Sequence, residues 1–395
     1  MRPALSGGFY PELLRLRNAD PLAREAGSRE VDSCLERERF TPADLPVLLS
    51  PAAEPFLERL ARRAQAETLR HFGRSVQLFT PLYLSNYCVN RCVYCGFSRR
   101  RSIYRSRLSL EEVEAEGRAI ATTGLRRVLA LTGDDPGRSG PEYLAACLRV
   151  LSRHFSSLGI EVPSMSAEEY AMQAEAGAES MTLFQETYSP DRYARLHPGG
   201  PKRDFIFRLD APQRALMGGM RGVNLGPLLG LDDWRRDVYH TARHAEFLLR
   251  RYPEAEISIS LPRIRPHEDG GETSFQPWPV SDKHFVQALA ALRCVLPQAG
   301  LTLSTREPAW LRDKLLPLGV TRLSAGVCTA VGGHAYSKGD SPQFVISDGR
   351  SVEEMSASLK ARGYQPVFSD WLLPGLGDQE LSPGMARGLR FFRHA

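Results

Sequence analysis

Eight short apolar segments, separated by helical stretches, are the feature that most limits what this chain can fold into. They cover residues 75–85, 126–133, 159–165, 180–188, 222–231, 255–263, 300–306 and 320–326. Each is rich in β-branched residues and is bounded by turn-forming residues, as strands are. Strands that alternate with helices form parallel sheets, and eight such strands close a barrel. We therefore predict an α/β fold of the (βα)8 TIM-barrel type, with an open doubly wound sheet as the alternative.

The helical stretches carry start and stop signals. In a capping box, a serine at the helix start and a glutamate three residues later each bond the other's backbone amide. Three stretches have this pattern: Ser109 with Glu112, Ser166 with Glu169, and Ser351 with Glu354. Each is followed by a glycine, a residue that readily adopts the left-handed conformation ending a helix: Gly124, Gly177 and Gly363.

Segments at both ends of the chain fall outside this repeat. Residues 56–69 have apolar side chains at helical spacing before Gly73, which predicts a helix there. We expect an N-terminal helical extension, the barrel, and a C-terminal loop, helix and tail, at residues 1–75, 76–330 and 331–395. Within the last part, residues 372–395 would form the loose tail.

Composition argues against several classes of protein. The chain has 395 residues, of which 42% are hydrophobic, so it can bury a large core. A net charge of +5, from 51 basic and 46 acidic residues, is too small to indicate a nucleic-acid-binding protein. No apolar run is long enough to cross a membrane, and the N-terminus lacks the apolar core of a signal peptide. We therefore expect a cytoplasmic protein with reduced thiols and with neither nucleic acid nor a membrane as partner.

Three of the seven cysteines lie close together, just after the first predicted strand. Cys88, Cys92 and Cys95 have the spacing C-x3-C-x2-C. The others are isolated: Cys34, Cys147, Cys294 and Cys328. Structural zinc sites and electron-transfer iron–sulfur clusters both use four protein ligands. Three thiolates leave one metal position open, as catalytic metal sites do for a substrate.

With Tyr94 before the last cysteine, the segment "NYCVNRCVYCGF" resembles the signature of the radical S-adenosylmethionine (SAM) superfamily. The resemblance implies one 4Fe-4S cluster per chain, held by Cys88, Cys92 and Cys95. It also implies that the methionine amino and carboxylate groups of SAM bind the remaining iron. The reduced cluster would then cleave SAM to methionine and a 5′-deoxyadenosyl radical, which ends as 5′-deoxyadenosine.

Further segments narrow the resemblance. In order between residues 81 and 326 come "PLYLSNYCVNRCVYCGF", "FQETYSPDRYARLHPGGPKRDFIFRL", "LSTREPAWLRD" and "LSAG". They are similar to the aromatic amino acid lyases of the superfamily, and most similar to the tyrosine lyases of thiamine biosynthesis. The implied reaction cleaves the Cα–Cβ bond of L-tyrosine to 2-iminoacetate (dehydroglycine) and p-cresol. Thiazole synthase would use the 2-iminoacetate, and flavodoxin or ferredoxin would supply the electron.

The same resemblance assigns three residues to the substrate. Arg306 would bind the tyrosine carboxylate, Ser324 would contact the substrate, and Tyr83 would line the pocket near the reacting amine. A guanidinium is well shaped for bidentate carboxylate binding. Each residue also has a simpler interpretation: Arg306 could pair with Glu307, Ser324 could be a turn residue, and Tyr83 could be part of the core.

For SAM, the resemblance points to residues that follow the predicted strands, at the catalytic face of a barrel. The family has Gly-Glu where this chain has Gly133-Asp134, so Asp134 or Asp135 would bind the methionine amino group. The predicted cofactor-binding residues are Tyr94, Gly133, Asp134, Glu161, Gln185, Glu186 and Arg208. The alternative is a structural role in salt bridges for Glu161, Gln185, Glu186 and Arg208.

A basic run, "SRRRSIYRSR" at residues 98–107, follows the cysteines. It is either a solvated loop or a docking surface for an acidic one-electron donor, because opposite charges steer such encounters.

Three other functions compete with the tyrosine lyase. A radical SAM tryptophan lyase of peptide antibiotic biosynthesis shares the features around Arg306 and Ser324. A hydrogenase-maturation tyrosine lyase would need a second cluster bound by three C-terminal cysteines. This sequence has no cysteine after Cys328. A non-catalytic iron–sulfur sensor would not need the arginine at position 306.

Overall fold

The computed structural model describes residues 5–265, 275–336 and 342–368, which contain a closed parallel barrel. Its strands are β1 (Ser75–Ser85), β2 (Arg127–Thr132), β3 (Ser157–Glu161), β4 (Ala178–Glu186), β5 (Gly222–Pro227), β6 (Glu256–Ser260), β7 (Gly300–Leu303) and β8 (Arg322–Ser324). Neighbours follow chain order, and both β2 and β8 pair with β1, which closes the barrel. The (βα)8 prediction is confirmed, and the open doubly wound sheet is wrong.

Helices surround the barrel and precede it. Before β1 come α1 (Tyr10–Ala19), α2 (Ser28–Leu35), α3 (Leu45–Leu48) and α4 (Leu57–Phe72). After β1 come α5 (Leu110–Thr122), α6 (Pro136–Ser139), α7 (Pro141–Leu151), α8 (Ala167–Glu175), α9 (Pro190–Leu196), α10 (Phe205–Leu209), α11 (Ala211–Met217), α12 (Trp234–Arg251), α13 (Asp282–Val295), α14 (Ala309–Leu315) and α15 (Val352–Ala361). The three predicted capping boxes form at α5, α8 and α15. No helix in the described part of the chain combines the length and apolar character that a membrane crossing requires.

The N-terminal helices share the core of the barrel. Leu45, Leu48 and Leu60 are fully buried in the same apolar cluster as the barrel strands. Burying one leucine contributes about 1.5–3 kcal/mol. The amide of Gln287 on α13 donates to the carbonyls of Leu48 and Ser50, at 2.9 Å each. The extension is therefore fixed to the barrel by apolar packing and by buried hydrogen bonds.

A ninth strand, β9 (Gln365–Val367), was not predicted from the sequence. It pairs in parallel with the first residues of β1, outside the closed barrel. Three residues that include Pro366 are too short a segment to show a strand pattern. The predicted tail at 372–395 lies outside the described residues.

The inside of the barrel is hollow and polar between β4 and β6. Thr182, Asn224 and Ser260 face one another there, and the Asn224 amide donates to the hydroxyl of Ser260 at 2.8 Å. Such barrels are normally filled by bulky branched side chains. The small polar residues instead leave a cavity with an empty volume of about 1120 Å³. An ion pair between Arg322 and Glu256 lies at its amino-terminal end.

A buried arginine joins α14 to the end of β8. The Arg312 guanidinium donates to Asp348 and to the carbonyl of Ser324, at 2.5 Å each. Both charged side chains are only 1% exposed. The pair therefore holds the segment after β8 against the strand that carries Ser324.

We expect Asp348→Ala to lower the free energy of unfolding by about 3–5 kcal/mol, because it leaves the buried Arg312 charge without its carboxylate. Urea unfolding followed by circular dichroism measures the change. Arg24→Ala is the control, since the Arg24–Glu30 pair is exposed to solvent and such pairs contribute little. If Asp348→Ala and the unchanged protein unfolded at the same urea concentration, the result would contradict the prediction.

Candidate active site

Two cavities meet at the carboxyl ends of the barrel strands. The first, called here the barrel cavity, is the hollow inside the barrel. The second, the cysteine cavity, has an empty volume of about 1020 Å³ and is lined by Cys88, Cys92 and Cys95. Residues that line both are Glu161, Phe184, Pro262, Arg306, Gln343 and Phe344.

Apart from Gln185, every predicted site residue lines one or both cavities. The cysteine cavity contains Cys88, Cys92, Cys95, Tyr94, Gly133, Asp134, Glu161, Glu186, Arg208 and Arg306. The barrel cavity contains Tyr83, Glu161, Arg306 and Ser324. Gln185 is buried elsewhere, and its amide donates to the Phe205 carbonyl at 3.5 Å. Because neighbouring strand residues point to opposite faces, Gln185 faces away from the cavities, and we no longer assign it to SAM.

The cysteine loop is held in shape by Arg105, whose guanidinium lies against the loop backbone. It donates to the carbonyls of Asn86, Phe97 and Ser98, at 2.6, 2.7 and 2.8 Å. One residue of the basic run is therefore an internal support of the loop.

The thiols of this loop lie in a low-dielectric environment. Burial raises the pKa of Cys92 to about 12, and burial also raises the pKa of Cys88. Burial penalises a thiolate unless a cation compensates its charge. Metal binding would displace these protons, as it does at other thiolate sites.

A buried group of charges lies beside the cysteines. Glu186, at a bulge in β4, has a positive φ of 74° and accepts from Lys202 at 2.6 Å and from Arg208 at 3.3 Å. Burial alone would raise the pKa of Glu186, but the two cations outweigh it and lower that pKa. Lys202 was not predicted from the sequence. The group leaves net positive charge next to the cysteine cavity.

The segment after β2 approaches the cysteine loop closely. A Cβ atom on Gly133 would lie 2.2 Å from the Tyr87 carbonyl oxygen, so only glycine fits. Asp134 accepts from the Asn90 amide at 2.6 Å, and burial raises its pKa. Asp135 instead caps α6 through the Gly137 amide, which leaves Asp134 as the residue that lines the cavity.

Tyr94 is tied to a buried histidine. Its hydroxyl lies 2.8 Å from His197 Nε2, and His197 Nδ1 lies 2.8 Å from the Tyr193 carbonyl. A carbonyl only accepts, so Nδ1 carries the proton and the Tyr94 hydroxyl donates to Nε2. Burial holds the pKa of His197 well below its usual value, so the ring is neutral. The pair fixes the Tyr94 ring in the wall of the cysteine cavity.

Tyr83 stands where β1 meets the barrel cavity. Its hydroxyl donates to Gln343 at 2.8 Å, and its ring meets Phe97 edge to face. The Gln343 amide nitrogen lies 4.0 Å from the sulfur of Cys95. Tyr83 is thus buried, as the core interpretation expected, and also lines the barrel cavity.

Arg306 lies at the junction of the two cavities with its guanidinium 3.6 Å from the centre of the Phe344 ring. Glu307 is not its partner, because that carboxylate binds Arg263 and Arg265. Among the described residues, no carboxylate forms an ion pair with Arg306. The proposed pairing of Arg306 with Glu307 is therefore wrong.

Ser324 ends β8 with a buried hydroxyl that has no hydrogen-bond partner within the described residues. Buried polar groups are nearly always satisfied, so an orphan beside a cavity indicates a ligand or water. The hydroxyl is therefore available to a molecule in the barrel cavity.

Comparison with known proteins shows the family of the chain. The radical SAM superfamily model matches residues 82–245, and the Biotin and Thiamin Synthesis associated domain matches residues 260–365. A 2-iminoacetate synthase of Escherichia coli is 39% identical over 343 residues, which cover 87% of this chain and 90% of that protein. The chain belongs to the 2-iminoacetate synthase family of radical SAM enzymes.

Solved structures add to the comparison. A crystal structure of HydG, a maturase of the FeFe-hydrogenase, is 31% identical with a TM-score of 0.83. The match covers 89% of this chain and 79% of that one. A methylornithine synthase structure, at 22% identity and a TM-score of 0.68, covers 86% of this chain and 97% of that one and shares the fold.

A member of the 2-iminoacetate synthase family uses SAM and an iron–sulfur cluster, and the cysteine cavity suits both. Three thiols line it, and the four other cysteines lie elsewhere. In the described ranges, no three cysteine, histidine or acidic side chains converge as the ligands of a single ion would. The thiolates of a cluster instead bind separate irons, and Lys202 and Arg208 supply positive charge for an anionic group.

Several residues of the site were missed by sequence reasoning. They are Asn90, His197, Lys202, Gln343 and Phe344. Lys202 and His197 fall inside the segment "FQETYSPDRYARLHPGGPKRDFIFRL", so the resemblance was a signal for them. Gln343 and Phe344 follow β8 after a long loop, and no local pattern places them beside β1.

Proposed function

We propose that the protein is a radical SAM tyrosine lyase that cleaves the Cα–Cβ bond of L-tyrosine to 2-iminoacetate and p-cresol for thiamine thiazole synthesis. Family membership supports the reaction class. The observation that carries the substrate assignment is Arg306, a cation without an ion-pair partner among the described residues, at the junction of the two cavities. A guanidinium in that state is suited to a substrate carboxylate.

Cys88, Cys92 and Cys95 would hold one 4Fe-4S cluster per chain. When bound, the cluster supplies the electron that cleaves SAM to a 5′-deoxyadenosyl radical. The residues assigned to SAM are Tyr94, Gly133, Asp134, Glu186 and Arg208, whereas Glu161, which the resemblance also assigns to SAM, lines both cavities. Asp134 offers a carboxylate to the methionine amino group, and Arg208 offers a guanidinium to a carboxylate.

The chain's own residues would orient tyrosine across the junction. Arg306 binds the carboxylate and Ser324 Oγ hydrogen-bonds the substrate, while Tyr83 forms the wall beside the reacting amine. The phenol ring then occupies the polar barrel cavity, whose wall carries hydroxyl and amide groups such as that of Asn224. Enclosure inside the barrel keeps the labile imine product away from bulk water.

The proposed partners are thiazole synthase, which consumes the imine, and a flavodoxin or ferredoxin that supplies electrons. Arg99 and Arg100 are exposed on the cysteine loop, and Arg107 and Arg138 are exposed beside it. Such a basic surface attracts an acidic electron carrier.

An anaerobic assay tests the proposal. The protein with a reconstituted cluster is given SAM, dithionite and tyrosine, and 5′-deoxyadenosine, p-cresol and glyoxylate from imine hydrolysis are measured. We expect all three products from tyrosine, and no 3-methylindole or indole acid from tryptophan in a parallel reaction. Deoxyadenosine without p-cresol would overturn the tyrosine assignment. A failure to cleave SAM, despite an intact cluster, would overturn the radical reaction itself.

A further inference from the structure

Glu161 and Arg306 carry opposite charges at the junction of the two cavities, yet they do not pair. Both line the cysteine cavity and the barrel cavity. They are close enough for each to influence the other's pKa, but neither side chain forms an ion pair or a hydrogen bond with another described residue. Buried opposite charges normally close into a pair. Here both residues instead line the two cavities where these meet.

An α-amino acid matches this arrangement because its carboxylate and ammonium groups are attached to the same carbon. If Arg306 binds the carboxylate, a second group must bind the amine. Glu186 is already occupied by Lys202 and Arg208, and Glu307 by Arg263 and Arg265. Glu161 is the carboxylate left free in the shared wall.

The chemistry also requires an acceptor at this position. Removing a hydrogen atom from the tyrosine nitrogen is easier from a neutral amine than from an ammonium ion, which holds its hydrogens more strongly. Tyrosine enters from water mainly as the ammonium form. One proton must therefore leave the nitrogen before the radical step.

We propose that Glu161 binds the amino group of the substrate and takes one proton from it, so that the amine is neutral when its hydrogen atom is removed. This inference rests on the proposed tyrosine lyase function. The step is a simple proton transfer: an N–H bond of the ammonium breaks, an O–H bond forms on the Glu161 carboxyl, and no redox partner is needed.

The surrounding charges favour this exchange. Burial and the Glu186 carboxylate raise the pKa of Glu161 to about 7, while Arg306, Arg208 and Lys202 oppose the rise. The phenol of Tyr83 stays protonated, because burial raises its pKa as well. A desolvated site favours the neutral forms of both partners, the amine and the carboxylic acid.

Glu161→Gln tests the role, since it keeps the size and hydrogen-bonding capacity but cannot take the proton. We expect p-cresol formation to fall by about 100-fold, the lower end of the usual contribution of a general base. For the unchanged enzyme, kcat/KM should fall as the pH drops through about 7, because Glu161 becomes protonated. The variant should lack the transition near pH 7, and its residual rate should rise only at more alkaline pH, where more tyrosine carries a neutral amine. Glu161→Asp, which retains a carboxylate, should recover part of the rate.

Binding measurements separate this role from SAM binding. In the protein with its cluster, SAM affinity should stay unchanged in Glu161→Gln, while tyrosine affinity falls relative to 3-(4-hydroxyphenyl)propionate, which lacks the amine. A loss of SAM affinity with normal p-cresol formation at saturating SAM would overturn the inference, as would an unchanged pH profile. If the unchanged enzyme makes no p-cresol, the proposed function fails first, and the two failures are distinguished.

Discussion

Cys92→Ala should leave the protein folded but without its iron–sulfur cluster and without any SAM cleavage. Cys92 lies in the wall of the cysteine cavity, between the two other thiols in sequence. A cluster that rests on three thiolates loses one third of its protein ligands, and no other cysteine lines the cavity to replace it. We expect iron and sulfide content near zero after anaerobic reconstitution, and neither 5′-deoxyadenosine nor p-cresol above background.

Cys147→Ala is the matched control. Cys147 is buried in α7 as part of the main apolar cluster and does not line the cysteine cavity. This variant should retain the absorbance of the cluster and the full rate of SAM cleavage. If Cys92→Ala keeps its cluster, or if both variants lose it equally, the assignment of the cysteine loop is incorrect.

The barrel could be predicted because its determinants are local. Each strand is a short apolar run, and capping boxes such as Ser109 with Glu112 mark where helices begin. The position of Arg306 could also be predicted, because residues that follow parallel strands gather at one end of a barrel. β9 could not be predicted, because pairing with β1 defines it and its own three residues do not.

Side-chain direction is harder to predict from the sequence than the position of a strand. Gln185 and Glu186 were assigned together, but neighbouring strand residues face opposite ways, and a bulge with positive φ turns Glu186 toward the cavity. Contacts between residues that are distant in the sequence could not be predicted either. Gln343 meets Tyr83 across 260 positions of sequence, and such contacts leave no periodic signal.

Arg306→Gln should weaken tyrosine binding by about 2–5 kcal/mol, which is roughly 30-fold to several thousand-fold. The variant removes the charge that would meet the carboxylate, and also the stacking of the guanidinium on Phe344. In the described part of the chain, Lys202, Arg208 and Arg265 line the cysteine cavity but not the barrel cavity, so none of them replaces Arg306 at the junction. The measurement is the dissociation constant of tyrosine in the protein with cluster and SAM, together with KM for p-cresol formation.

Two comparisons show whether the carboxylate is the cause. Tyramine lacks that group. It should therefore compete with tyrosine equally weakly in the unchanged protein and in the variant. Arg306→Lys should recover only part of the affinity, because an ammonium is a point charge and cannot form the two parallel hydrogen bonds of a guanidinium. Since Arg306 also lines the cysteine cavity, a loss of SAM affinity with unchanged tyrosine affinity would move this residue from the substrate to the cofactor. Tyrosine would then need another cation, and no other arginine or lysine is shared by the two cavities within the described residues.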